Sequence, residues 1–133
     1  MKEDKITKCE LSIPIERSIQ AELLLLLGQR ASHGYELIQR LNDSDFKTGE
    51  ADTATVYRNL RRMDKDGLIK SHWELGESGP GRRLYQLTPQ GKESLRIWVQ
   101  YIAQQKARLE NFLQAYGQYE EYLSNQENGV NKS

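Results

Sequence analysis

Thr88-Pro89 opens the longest uninterrupted segment of the chain, and that segment constrains everything before it. A threonine oxygen accepts well from the amides of a helix's first turn. A proline at the first helical position gives up only an amide that would be unpaired anyway. From Pro89 to about Leu123 only Gly91 and Gly117 weaken a helix, which predicts roughly 36 residues, or about 54 Å. Leu95, Trp98, Ile102, Gln105, Leu109, Phe112, Tyr116, Tyr119 and Leu123 fall at alternating steps of three and four, the spacing of a coiled-coil-like seam. Val99, Leu113 and Tyr122 widen that stripe, as bundle packing against more than one neighbour requires. Such a helix either folds back on its own domain or pairs with a second copy. Its length outruns a small core, so a homodimer is expected, with Leu95, Trp98, Ile102, Leu109, Phe112, Tyr116, Tyr119 and Leu123 as dimerisation residues.

The chain of 133 residues leaves room for one domain before that helix. Ser18–Gln29 is a leucine-dense helix with Gly28 near its end, and Tyr35–Leu41 is a shorter one with Tyr35, Leu37, Ile38 and Leu41 on its apolar face. Asn42–Glu50 reads as a polar turn whose single aromatic, Phe46, plugs back into the core. A third helix follows from about Asp52, an N-cap, to Asp66, with Val56, Leu60 and Met63 inward and Gly67 as its stop. The period then becomes two. Ile69–Leu75 and Arg83–Leu87 are expected as the strands of a hairpin, Tyr85 and Leu87 facing inward, around the Gly/Pro-rich tip Gly76–Arg82. An isolated hairpin is marginal in water, so it must pack on the helices.

The expected fold is therefore mainly α with a small β-hairpin. A flexible segment spans 1–15, a winged helix-turn-helix domain 16–88, a long C-terminal dimerisation helix 89–124, and a disordered tail 125–133.

Nineteen basic residues balance nineteen acidic ones, which by itself argues against nucleic acid. The distribution matters more. Residues 1–51 carry seven basic and nine acidic residues, 52–88 seven and five, and 89–133 five and five. On a helical wheel of the third helix, Arg58, Arg61, Arg62 and Lys65 point away from the buried stripe, and Thr53 and Thr55 occupy the first turn. That is either a solvated charged face or a recognition helix whose arginines reach guanine edges and phosphates in the major groove. Arg82 and Arg83, beside a Gly-Pro-Gly tip in the correct order along the chain, favour the second reading.

Other chemistry is sparse. Cys9 stands alone, and with two histidines, His33 and His72, it forms no metal-ligand spacing. His33 opens a helix and reads as a structural or capping residue, while His72, next to Trp73 on a strand, reads as exposed. No nucleophile–base pair, P-loop or dinucleotide fingerprint is visible, so neither catalysis, a metal nor a cofactor is expected. The strongest apolar run, Leu23–Leu27, is too short for a membrane span and too far in for a signal peptide, so the expected location is the cytoplasm.

His33-Gly34-Tyr35-Glu36-Leu37, Thr55-Val56-Tyr57-Arg58-Asn59-Leu60 leading to Asp66-Gly67-Leu68-Ile69, and Gly81-Arg82-Arg83-Leu84-Tyr85-Gln86-Leu87-Thr88 with Gly91 carry a resemblance. In their order and spacing, over about residues 18–92, they are similar to the PadR family of winged-helix transcriptional regulators. The resemblance implies a dimer whose C-terminal helices embrace the partner's N-terminal helix, bound to a pseudo-palindromic operator. It also implies a repressor released by a small molecule or stress signal. Some short members of the family stack flat drugs between paired tryptophans; here the aligned position is Ile102, with Trp98 one turn earlier. Leu95–Trp98 and Phe112–Tyr116 look more like the poly-beta-hydroxybutyrate-responsive repressors of the family, which implies a polymer effector.

Trp98, Tyr101, Ile102 and Phe112 are thus candidates for an effector pocket between subunits, or simply for dimer core. The competing functional reading is an interaction module without an operator, using its aromatic helix to hold a protein or polymer surface.

Overall fold

The computed structural model describes residues 15–132, apart from 48, 50 and 76–80. Cys9, the expected N-terminal segment up to residue 14 and residues 76–80 of the expected hairpin tip lie outside the described residues. Along the chain come α1 (Ile15–Gln29), β1 (Ser32–His33), α2 (Gly34–Asp43), α3 (Thr53–Lys65), β2 (Ile69–Glu74), β3 (Arg82–Leu87) and α4 (Pro89–Lys132). The three-helix core and the antiparallel hairpin stand where the patterning placed them.

The core is aliphatic. Leu23, Leu24, Leu26 and Leu27 of α1, Leu37 and Leu41 of α2, and Val56, Leu60 and Met63 of α3 are buried, closed beneath by Ile69 and Tyr85 of the sheet. Burial of a leucine-sized side chain stabilises by roughly 1.5–3 kcal/mol, so this cluster is what holds α3 in place. Arg40 ties α2 to the end of α1: its guanidinium donates to the Leu26 carbonyl at 2.8 Å, to Gln29 Oε1 at 3.1 Å and to the buried Ser32 hydroxyl at 2.6 Å. The Leu26 carbonyl, in the last turn of α1, also accepts from the Arg30 amide at 3.2 Å, so Arg40 gives it a second hydrogen bond.

Among the described residues the sheet has three strands, not two, in the order β1-β3-β2. Ser32 lies opposite Tyr85 and His33 opposite Leu84, while β2 pairs with β3 from Ile69↔Leu87 to Glu74↔Arg82. A two-residue strand shows no period, which is why β1 was not visible in the sequence. Side chains alternate strictly across this register. Ser32, Ser71, Trp73, Arg83 and Tyr85 share one face, and Ser71 on it donates to Asp64 of α3 at 3.1 Å. His33, His72, Glu74, Arg82 and Leu84 share the other.

Three local expectations are corrected. Phe46 does not plug the core but is 41% exposed, because Leu37 and Leu41 already fill the space and the chain leaves α2 at the Ser44 cap. Tyr35 is likewise exposed rather than inward, taken up by His33 and Arg82 on the surface. The last helix continues past Ser124 to Lys132, through most of the stretch read as a tail. That stretch has no proline and only Gly129 as a weak point, so nothing interrupts the hydrogen-bond ladder.

Residues 1–96 and 97–133 form two compact units. In the first, Thr88 starts α4 as expected: its hydroxyl accepts from Gly91 N–H at 3.0 Å and donates to the Gly67 and Leu68 carbonyls at 2.6 and 2.9 Å. In the second, Ile97 to Lys132 is a continuous stretch of helix whose large apolar side chains are mostly in water.

Candidate nucleic-acid interface

Asp52 caps α3, its carboxylate accepting from the Thr55 amide at 2.7 Å. Hydrogen bonds from Thr55, side chain first and backbone next, hold the Asp52 carboxyl below its ordinary pKa. The cap sets where the helix begins and therefore which residues occupy its first turn. Thr53 is exposed there and Thr55 half-buried, its hydroxyl accepting from Arg58 at 3.4 Å and its carbonyl from Asn59 at 2.8 Å. Arg58, Arg61, Arg62 and Lys65 are all exposed, while Val56, Asn59, Leu60 and Met63 face inward. The four cations are thus turned to water along one side of a helix whose other side is fixed in the core.

The sheet separates the two wing arginines. Arg82 and Arg83 are adjacent on β3 and so point to opposite faces. Arg83 shares the face that Ser71 ties to α3, and its guanidinium lies 5.2 Å from the centroid of the Trp73 ring, its cross-strand partner. Arg82 turns to the other face, donating to the Tyr35 hydroxyl at 3.0 Å with its Cζ 5.5 Å from that ring's centroid. The sequence offered both arginines as wing residues beside the Gly-Pro-Gly tip; the pleat sends them to opposite faces.

That second face holds a network the sequence did not disclose. Glu36 reaches back to accept from the His33 backbone N–H at 2.9 Å and from ring Nδ1 at 2.8 Å, while Nε2 lies 2.7 Å from Glu74 of β2. Two carboxylates facing both ring nitrogens are satisfied together only by an imidazolium. Partial burial opposes the charge, but the hydrogen bonds to Glu74 and Glu36 outweigh it and raise the His33 pKa above its usual value. A raised folded-state pKa contributes stability that is complete below the unfolded value of about 6.5 and disappears as pH climbs through the folded one. The melting-temperature gap between wild type and His33→Ala is therefore expected to narrow as pH rises from about 6.5 through the raised folded-state value. The pair with the half-exposed Glu74 is solvent-screened, so the pH-dependent part is at most about 1 kcal/mol. A gap that stays constant over that range would contradict the network.

On α4, Leu95 is half-buried within the first unit, 3.7 Å from where a Cβ on Gly28 would stand. Trp98 is half-buried, and Ile102, Leu109, Phe112, Tyr116, Tyr119 and Leu123 are exposed, Phe112 by 69%. Of the candidate pocket residues, Trp98 and Tyr101 meet edge to face at 6.1 Å. Phe112 lies ten residues beyond Ile102, about 15 Å along the axis, so one helix alone does not bring these four residues into a single cavity. Among the described residues no group of three or more His, Cys, Asp or Glu could hold a metal ion, and no helix is long and apolar enough to cross a membrane.

Comparison with known proteins agrees with this fold. The model of the transcriptional regulator PadR-like family matches residues 23–97. A probable transcriptional regulator of Mycobacterium tuberculosis is 29% identical over 77 residues, covering 58% of this chain but only 41% of that protein, so the chain spans about two fifths of it. A PadR family transcription regulator from Clostridium difficile R20291 superposes with a TM-score of 0.64 at 29% identity, covering 71% of this chain and 97% of that one. Bacillus subtilis PadR, solved in complex with operator DNA, gives a TM-score of 0.58 at 22% identity over 62% of this chain and 47% of its own, a likeness of fold.

Proposed function

The chain belongs to the PadR-like family of transcriptional regulators, and from that premise we propose that it is a repressor that binds a pseudo-palindromic operator as a homodimer and is released by an effector. The observation that carries the reading is the exposed row Arg58, Arg61, Arg62 and Lys65 on a helix locked by Val56, Leu60 and Met63. A rigid helix presenting four cations, with small hydroxyls at its first turn, suits the major groove: guanidinium groups pair with guanine edges and the remaining cations neutralise phosphate. Trp98, Tyr101, Ile102 and Phe112 would line an effector site once a second helix lies against the first. Such a regulator works in the cytoplasm.

The test is genome-wide binding of the tagged protein with footprinting of its strongest site. A protected inverted repeat is expected. Arg58→Ala or Arg62→Ala is expected to cost about 1–3 kcal/mol, roughly 5- to 150-fold in affinity, without dissociating the dimer. Unchanged affinity in both variants would remove α3 as the reading helix.

A second reading has its own observation: Phe112 and Leu113 are 69% and 67% exposed on a helix with no net basic excess. An interaction module would use that stripe to hold a protein or a polymer surface. Salt separates the two, since phosphate neutralisation releases counterions and weakens steeply with salt, whereas an aromatic interface does not.

A further inference from the structure

We infer that Trp73 is a positioning residue for DNA binding: its indole is the platform that holds the Arg83 guanidinium toward the phosphate backbone beside α3. The inference rests on the DNA-binding reading above and adds a residue to it.

Three observations meet here. Trp73 and Arg83 are directly opposed across β2 and β3, and the guanidinium carbon lies 5.2 Å from the ring centroid, within the range of a cation–π contact. The pair occupies the same sheet face as Ser71, which is bonded to Asp64 of α3. It lies one side-chain period, about 7 Å, further toward the hairpin tip. Finally, Trp73 is 63% exposed and Leu75 beyond it 91%, so the indole is not there to close a core.

An unsupported arginine loses much rotamer freedom when it docks on a phosphate, whereas one already laid on an indole loses less. Arg82 has no comparable role on this face, because the pleat commits it to Tyr35 on the opposite one. Gly81, the residue just before β3, stands close over the same indole: a Cβ there would lie 3.5 Å from Trp73 Cε3.

The test measures affinity of the full-length protein for a fluorescent mixed-sequence duplex of about 40 base pairs, titrated from about 50 to 200 mM salt. Arg83→Ala is expected to flatten the slope of log affinity against log salt by about one, the signature of one lost phosphate contact. Trp73→Ala is expected to weaken binding roughly two- to five-fold, the equivalent of an exposed cation–π contact, and Trp73→Phe to restore most of it. Trp73→Leu, which keeps apolar bulk without a π-face, is expected to bind like Trp73→Ala while retaining the wild-type melting temperature. In the Arg83→Ala background, Trp73→Leu is expected to have no further effect. An equal loss in both backgrounds, or unchanged binding by Trp73→Leu, would overturn the inference while leaving the DNA-binding reading in place. Failure of the wild-type protein to bind the duplex even at low salt would overturn both.

Discussion

Replacing Gly91 by alanine is expected to destabilise the folded domain by about 3 kcal/mol, at the severe end for overpacking. That corresponds to a melting temperature lowered by roughly 10–20 °C. The new Cβ would fall inside the van der Waals envelope of the Leu68 carbonyl oxygen and lie 2.5 Å from Leu87 Cδ1. A flexible side chain retreats at little cost; a carbonyl in a tight turn does not. The Leu68 oxygen already accepts from the Thr88 amide at 3.1 Å and the Thr88 hydroxyl at 2.9 Å, and the turn before it depends on Gly67 at φ +80°. Alanine at position 91 must therefore lift the first turn of α4 from the base of the hairpin. Gly117 provides the contrast, with nothing within 4 Å of its would-be Cβ. Gly117→Ala is expected to stabilise its helix by up to about 1 kcal/mol, because alanine loses less backbone freedom there. Thermal denaturation followed by circular dichroism measures both. A Gly91→Ala protein melting like the wild type would show that α4 does not dock this closely.

The second large effect concerns the proposed dimer. Phe112→Ala is expected to raise the dimer dissociation constant by roughly 10²- to 10⁴-fold, read by sedimentation equilibrium. Each buried phenyl is worth about 1.5–3 kcal/mol, and a two-fold interface loses it twice, so the expected cost is roughly 3–6 kcal/mol. The ring is 69% exposed in the single chain, on a seam that recurs every three and four residues, so its burial has to come from another molecule. Unchanged dissociation constants for Phe112→Ala and for Leu109→Ala would remove this stripe as the interface.

Much of the architecture was legible because it is written locally. The Thr88-Pro89 start, the Asp52 cap and the inward positions Val56, Leu60 and Met63 follow from the chemistry of helix ends and from a period of 3.6, and the structure repeats them. The outward cations of α3 follow from the same wheel. Phe46 and Tyr35 were misplaced for one shared reason: hydrophobicity says that a side chain gains by burial, not whether the core still has room. The end of the last helix was drawn early because a polar tail and a polar, solvent-exposed helix have similar compositions.

What the sequence determined by itself was the kind and order of elements, the buried stripes and the basic face, all properties of neighbours within a few residues of one another. Only the tertiary structure decided the pairing of strands. The loop joining β2 to β3 is long and glycine-rich, so turn geometry does not dictate which residue faces which. The register Trp73↔Arg83 and Glu74↔Arg82 emerges only once the sheet is seated on the helices. From that register come the separation of the two arginines, the indole beneath Arg83, and the His33 ring held between Glu36, three residues along the chain, and Glu74, 41 residues along it. Each depends on distant parts of the chain meeting at a few ångströms, a geometry set by packing rather than by any local preference.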